Sequence, residues 1–205
     1  MSTQSKDEEY YQRQSNIYSL LFQAYLDKYL LESVDYFKAN LPKETNSEIN
    51  NTVFVVAHFC DLAKRDLALT LWKVFYDNSK DANTVKNLNR YLFEQHRFKY
   101  KVVETENIKK IRPLIIAARN GFIAHNLMDD TGRILQISDM LDALEDVRSI
   151  FNVLSLKTFD SRVKPLTDSQ TYSISFYEKM GFNPLLMSVL RDTTNAIEEG
   201  DESNV

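Results

Sequence analysis

Apolar residues recur at three- and four-residue steps along most of the chain up to Leu154, the period of helices packed on one face. From about Glu9 to Asn40 there is no glycine or proline. Ile17, Leu20, Leu21, Tyr25, Leu30, Leu31, Val34 and Phe37 there fall near helical spacing and predict one long helix. It should stop before Leu41-Pro42, because the residue ahead of a proline is pushed out of the α region. After a linker at 42–46, Ser47 offers an N-cap. A second helix from about Glu48 to Tyr76 then carries the seam Val53, Val56, Cys60, Ala63, Leu67, Leu71 and Val74.

Asp77-Asn78-Ser79 ends that run. Asp81 is the expected cap of a third helix to about His96, with Val85, Leu88, Leu92 and Phe93 inward. Thr105 and Glu106 suit the start of a fourth, in which Pro113 should produce a kink or a restart. It ends between Asn120 and Asn126. Ser138 is the expected cap of a fifth helix, with Leu141, Leu144, Val147, Phe151 and Leu154 as its seam. Beyond a linker at 158–170 around Pro165, Tyr172–Met180 and Pro184–Ile197 read as short helices. The pattern thus predicts an all-α antiparallel helical bundle over residues 9–157, a C-terminal extension with short helices over 158–197, and disordered tails at 1–8 and 198–205.

Composition agrees. Glycine and proline occur four times each in 205 residues, too few for a sandwich or barrel with its many turns. The formal net charge of −4 is not that of a general nucleic-acid binder, so any RNA contact must come from a local patch or a dimer groove. A single cysteine, Cys60, leaves no internal disulfide and fits a reducing compartment. With no signal-peptide core and no apolar run near the ~20 residues of a membrane span, a cytoplasmic protein without membrane contact is the expectation.

Most signatures of chemistry are missing. There is no glycine-rich phosphate loop, no HExxH pair, no CxxC site and no serine elbow, and the spacing of His58, His96 and His125 suggests no metal cluster. What stands out is Arg119-Asn120-Gly121-Phe122-Ile123-Ala124-His125 at the end of the fourth helix. Imidazole titrates near neutrality, so it can take a proton from a ribose 2′-hydroxyl or give one to a leaving 5′-oxygen. A guanidinium offers a planar fork to phosphate oxygens and to the charge that builds on phosphorus. The asparagine amide can hold the ribose or orient the imidazole. The 2′-hydroxyl route requires no metal or other cofactor. Residues six apart on an uninterrupted helix lie about 120° apart around its axis, however. Gly121 must loosen the helix, or two copies must combine their pairs.

The segment resembles the signature of the HEPN superfamily, an arginine and a polar residue followed by a histidine after four to six positions. Read on to Asn126, Arg-Asn-x-x-x-Ala-His-Asn is especially similar to the AbiU-like, abortive-infection branch. A second phrase, Leu71-Trp72-Lys73-Val74-Phe75-Tyr76-Asp77, resembles the Leu-Trp-x-x-Phe-x-Asp helix end of that branch. The resemblance covers roughly residues 10–155. It implies a helical homodimer and a ribonuclease, in a toxin or antiphage role, with RNA as substrate and an antitoxin as a further partner. Arg119 would stabilise the transition state, Asn120 assist and His125 act as acid–base. Some members are non-catalytic RNA-binding or scaffold domains.

Other residues carry lesser readings. Asp66 could orient His125 or Arg119, and Asn126 could support the site. The best basic patch is His96, Arg97, Lys99, Lys101, Lys109, Lys110 and Arg112, where phosphate contacts are expected. The tyrosines and phenylalanines of the first helix could stack on bases but at helical spacing belong in a core. Trp72 is expected buried with its N–H satisfied. The alternative to a nuclease is a non-catalytic RNA-binding or protein-interaction module in which Arg119 and His125 serve a helix C-terminus through its dipole.

Overall fold

Among the described residues each helical seam resolves into helix, and no strand occurs. The structure, a computed structural model, describes residues 6–39, 47–121 and 135–156. The protein is an all-α helical bundle built of α1 (Lys6–Ala39), α2 (Ser47–Leu71), a π-helical turn (Trp72–Tyr76), α3 (Val85–His96), α4 (Glu106–Gly121) and α5 (Ile137–Leu156). No helix is long and apolar enough to cross a membrane among these residues. The C-terminal extension expected after residue 157 lies outside the described residues.

The chain divides into two compact units, Met1–Tyr25 with Arg65–Thr167, and Leu26–Lys64 with Asp168–Val205. In the first unit, the start of α1 carries fully buried Ile17 and Leu21, and its Tyr10 stacks on Tyr91 of α3 at 6.0 Å. Helices α4 and α5 run antiparallel. Near the start of α4, Asn107 Nδ2 donates to Asp146 of α5 (3.0 Å), and one turn on Lys110 pairs with Asp139 (2.7 Å). Between them Ile108, Ile111, Ile115, Ala143, Leu144 and Phe151 are fully buried. Each of these isoleucine, leucine and phenylalanine side chains contributes about 1.5–3 kcal/mol relative to exposure. In the second unit, Val56, Cys60 and Ala63 of α2 are buried, while Phe54, Val55, Phe59 and Leu62 are exposed.

Several local expectations need correction. Helix α1 opens at Lys6, so the first eight residues are not all tail. The second helix does not stay α-helical to Tyr76. Its last five residues widen into a π turn, closed by Asp77 N–H donating to Trp72 O (2.9 Å), an i→i+5 bond. Thr84, not Asp81, caps α3, its hydroxyl accepting from Asn87 N–H (3.1 Å), while Asp81 is an exposed turn residue. Ser138 lies inside the first turn of α5, whose first bond runs from Met140 N–H to Gln136 O. Thr105 does serve α4: its hydroxyl accepts from Ile108 N–H (3.3 Å) and donates to Asp146 (2.5 Å). Pro113 marks no restart, for α4 runs through it with the ring exposed.

Candidate functional site

Helix α4 delivers Arg119 and Asn120 in its last turn, both exposed. Arg119 Nη1 donates to Asn120 Oδ1 at 3.0 Å, and the guanidinium carbon lies 4.7 Å from the centroid of the Trp72 ring. Stacking on an indole is worth about 0.5–1 kcal/mol at an exposed site, and it fixes the plane of the fork. Among the described residues no other hydrogen-bond or ion-pair partner takes the remaining guanidinium N–H groups. His125 and Asn126 lie outside the described residues. Asp66 is half-buried and makes no hydrogen bond or ion pair with Arg119.

Trp72 is therefore half-buried under a cation rather than closed in the core. The π turn explains its position. It buries Val74, Phe75 and Tyr76, while Trp72 at its start is half-buried against Arg119 of α4. The contact repeats one level away. Arg112, two turns before Arg119, lies 5.8 Å from the Tyr76 ring, and Tyr76 Oη donates to Ile108 O at 2.5 Å. On α3, Lys86 Nζ sits 4.5 Å from the Phe75 ring. Three aromatic residues of one turn are each covered by a cation from α3 or α4.

Glu104 ties these cations together. Its carboxylate accepts from Lys86 Nζ at 2.8 Å and pairs with Arg112. Desolvation works to raise its pKa, but the hydrogen bond and charge of Lys86 and the charge of Arg112 outweigh it and hold the carboxyl below the usual range. Burial pushes the Tyr76 phenol well above its ordinary range, with Arg112 pulling it down and Glu104 pushing it further up.

The basic patch read from the sequence separates into two kinds of residue. Lys109 is paired with Glu106 (2.7 Å), Lys110 with Asp139 (2.7 Å) and Arg112 with Glu104. Arg97, Lys99 and Lys101 are exposed and make no ion pair among the described residues. Arg90, one helical face away, joins them. Phe93, expected inside, is 45% exposed beside it. The sequence reading missed Arg90 because the patch was drawn from local density, whereas Arg90, Phe93 and Arg97 align only on the i, i+3, i+4 surface of α3. It missed the Arg119–Trp72 contact because periodicity assigns Trp72 to the core and says nothing of a π turn. Of the aromatic residues of α1, Tyr10, Tyr25 and Tyr29 are buried as expected of a core, while Tyr11, Tyr18 and Phe22 are half-buried.

Among the described residues no group of three or more histidine, cysteine or acidic side chains converges on a point where a metal ion would sit. No family model matches the chain, and neither a curated protein nor a solved structure matches it significantly.

Proposed function

We propose that the protein is a HEPN-type endoribonuclease that cleaves RNA through attack of the ribose 2′-hydroxyl, in the manner of a toxin or antiphage effector. The observation that carries the reading is Arg119: exposed at a helix end, lying over the Trp72 ring and bonded to Asn120. A surface arginine held this way is preorganised for a phosphate. In the reaction the 2′-oxygen forms a bond to phosphorus as its proton passes to the imidazole of His125. The bond from phosphorus to the 5′-oxygen breaks, and the leaving oxygen takes a proton from water, the imidazolium of His125 returning its own proton to solvent. Arg119 binds the non-bridging oxygens as charge grows on them. The products are a 2′,3′-cyclic phosphate and a 5′-hydroxyl, and DNA, lacking the nucleophile, is not cut.

The test is incubation of purified protein with varied single-stranded RNAs in EDTA. Products with 2′,3′-cyclic ends are expected. Arg119→Ala and His125→Ala should each lower the rate by about 10²-fold or more while leaving the circular dichroism spectrum unchanged. Absence of cyclic ends at every protein concentration removes the chemistry. The rival reading, in which Arg119 only serves the C-terminal dipole of α4, draws on its place in the last turn. It requires that Arg119→Ala lower the melting temperature and leave cleavage untouched.

A further inference from the structure

We propose a strand-binding groove where α3 ends, in which a single-stranded RNA lays its phosphates on Arg90, Arg97, Lys99 and Lys101 and stacks a base on Phe93 or Tyr100. The identity of the polymer rests on the ribonuclease reading, whereas the groove itself is a matter of geometry. It is an open cavity of about 420 Å³ lined by Asn89, Arg90, Phe93, Lys99, Tyr100 and Lys101. That is the size of a small-ligand pocket, enough for a nucleotide unit.

Its charge runs against that of the molecule. Between Asn89 and Lys101 there are four cations and one carboxylate, Glu94, which is not in the lining, yet the whole chain has a net charge of −4. None of the four cations is neutralised by an ion pair among the described residues, in contrast to Lys109, Lys110 and Arg112 a few residues on. Arg90, Lys99 and Lys101 in the lining, with Arg97 near them in sequence and no ion pair to any of them among the described residues, attract a polyanion.

The aromatic content distinguishes a nucleic-acid strand from an acidic peptide. Phe93 sits beside Arg90 with 45% of its surface exposed. Tyr100 is held in orientation by stacking on Phe98, with ring centroids 6.2 Å apart and planes 7° from parallel. Apolar rings interleaved with cations in a groove are what unpaired bases and phosphates require together, and an acidic peptide has no use for the rings.

The groove is also built, in that its floor is pinned. Asn89 Nδ2 donates to the Tyr100 carbonyl at 2.9 Å, tying the connection between α3 and α4 back onto the helix. The connection begins at Arg97, which takes φ 56° with its N–H on Phe93 O (3.1 Å), while Phe98 N–H reaches Leu92 O (3.3 Å). A left-handed helix stop is where glycine is preferred. An arginine in that position keeps a cation at the start of the connection at a cost to stability.

The experiment is fluorescence anisotropy of a short, unstructured, labelled RNA with the full-length protein. Four proteins are compared: wild type, Arg90→Glu/Lys101→Glu, Phe93→Ala and Arg97→Gly. The charge reversal should weaken binding more than tenfold and flatten its salt dependence. Phe93→Ala should weaken it about tenfold with the salt slope unchanged, the loss of one stacked base. Arg97→Gly should raise the melting temperature and still weaken binding, a pair of effects that a structural role would not produce. Poly-glutamate should compete poorly. Failure of the wild type to bind, equal binding by the groove variants, or poly-glutamate competing as well as RNA overturns the groove. If the groove variants cleave and bind as wild type does, the groove falls and the nuclease stands. If RNA binds in the groove and is never cut, the nuclease falls and the groove stands.

Discussion

At the scale of single residues, Trp72 is the most useful reporter, for the chain contains no other tryptophan and the Arg119 guanidinium lies over its ring. A cation against an indole changes its electronic surroundings, so emission from Trp72 reads the position of Arg119. Arg119→Ala should shift that emission. RNA added to the wild type should do the same as phosphate draws the guanidinium off the ring, and RNA added to Arg119→Ala should do nothing. Equal responses of the two proteins to RNA would detach Arg119 from the substrate. The roles proposed for Arg119, Asn120 and His125 come from residue types alone, because imidazole and guanidinium suit phosphodiester cleavage wherever they meet. The stacking on Trp72 was not legible in the sequence, since a contact 47 residues away depends on where two helix ends meet. Phe93 was misassigned for a similar reason. It follows Leu92 on a seam where either residue satisfies the period, and burial of one side of α3 turns the other outward.

At the scale of elements, the connection from α3 to α4 carries the more exposed electrostatics. Glu104 bridges Lys86 of α3 and Arg112 of α4, and these cations in turn cover Phe75 and Tyr76 of the π turn. With its carboxyl held below the ordinary range, Glu104 contributes stability above the pKa of the unfolded chain, and the contribution is lost as pH falls through the folded value. Glu104→Gln should therefore be less stable than wild type at neutral pH, with the gap in melting temperature closing below pH ~4. A gap that stays constant from pH 7 to pH 3 would mean that packing, not charge, accounts for the effect. The raised phenol of Tyr76 acts at the other end. Because the folded state keeps Tyr76 protonated while the unfolded chain ionises near pH 10, stability falls as pH rises beyond that value. The five helices were readable because each buries one stripe at a period of 3.6 residues. Their ends were less so. Thr84 displaces Asp81 as the cap because its hydroxyl reaches Asn87 N–H while the Asn87 amide donates to Ser79 O and Ala82 O, contacts that short-range composition does not specify. The π turn inserts one extra residue per bonded ring and leaves no mark on the hydrophobic pattern.

At the scale of the molecule, an acidic chain that binds RNA must confine its attraction to a small region, and an average over 205 residues conceals this. The same scale decides how Arg119 and His125 meet. Six residues of continuous helix would set them about 120° apart, and α4 is described to Gly121, with His125 outside the described residues. A symmetric dimer offers a second solution, in which the arginine of one copy serves the histidine of the other. Two inactive variants then complement each other. Arg119→Ala mixed in equal amounts with His125→Ala and allowed to exchange gives heterodimers in half the population. Each of these heterodimers has one site with both residues intact and one with neither, so about a quarter of wild-type activity should return. Sites contained within a single chain recover nothing on mixing, because every chain present lacks one of the two groups. The specific activity of the wild type should also fall on dilution through the dimer dissociation constant, as sedimentation or light scattering at the same concentrations would show. Activity that is independent of dilution, together with no recovery on mixing, would assign the chemistry to one chain. Gly121 would then have to bend the segment after α4 far enough to bring His125 back to Arg119.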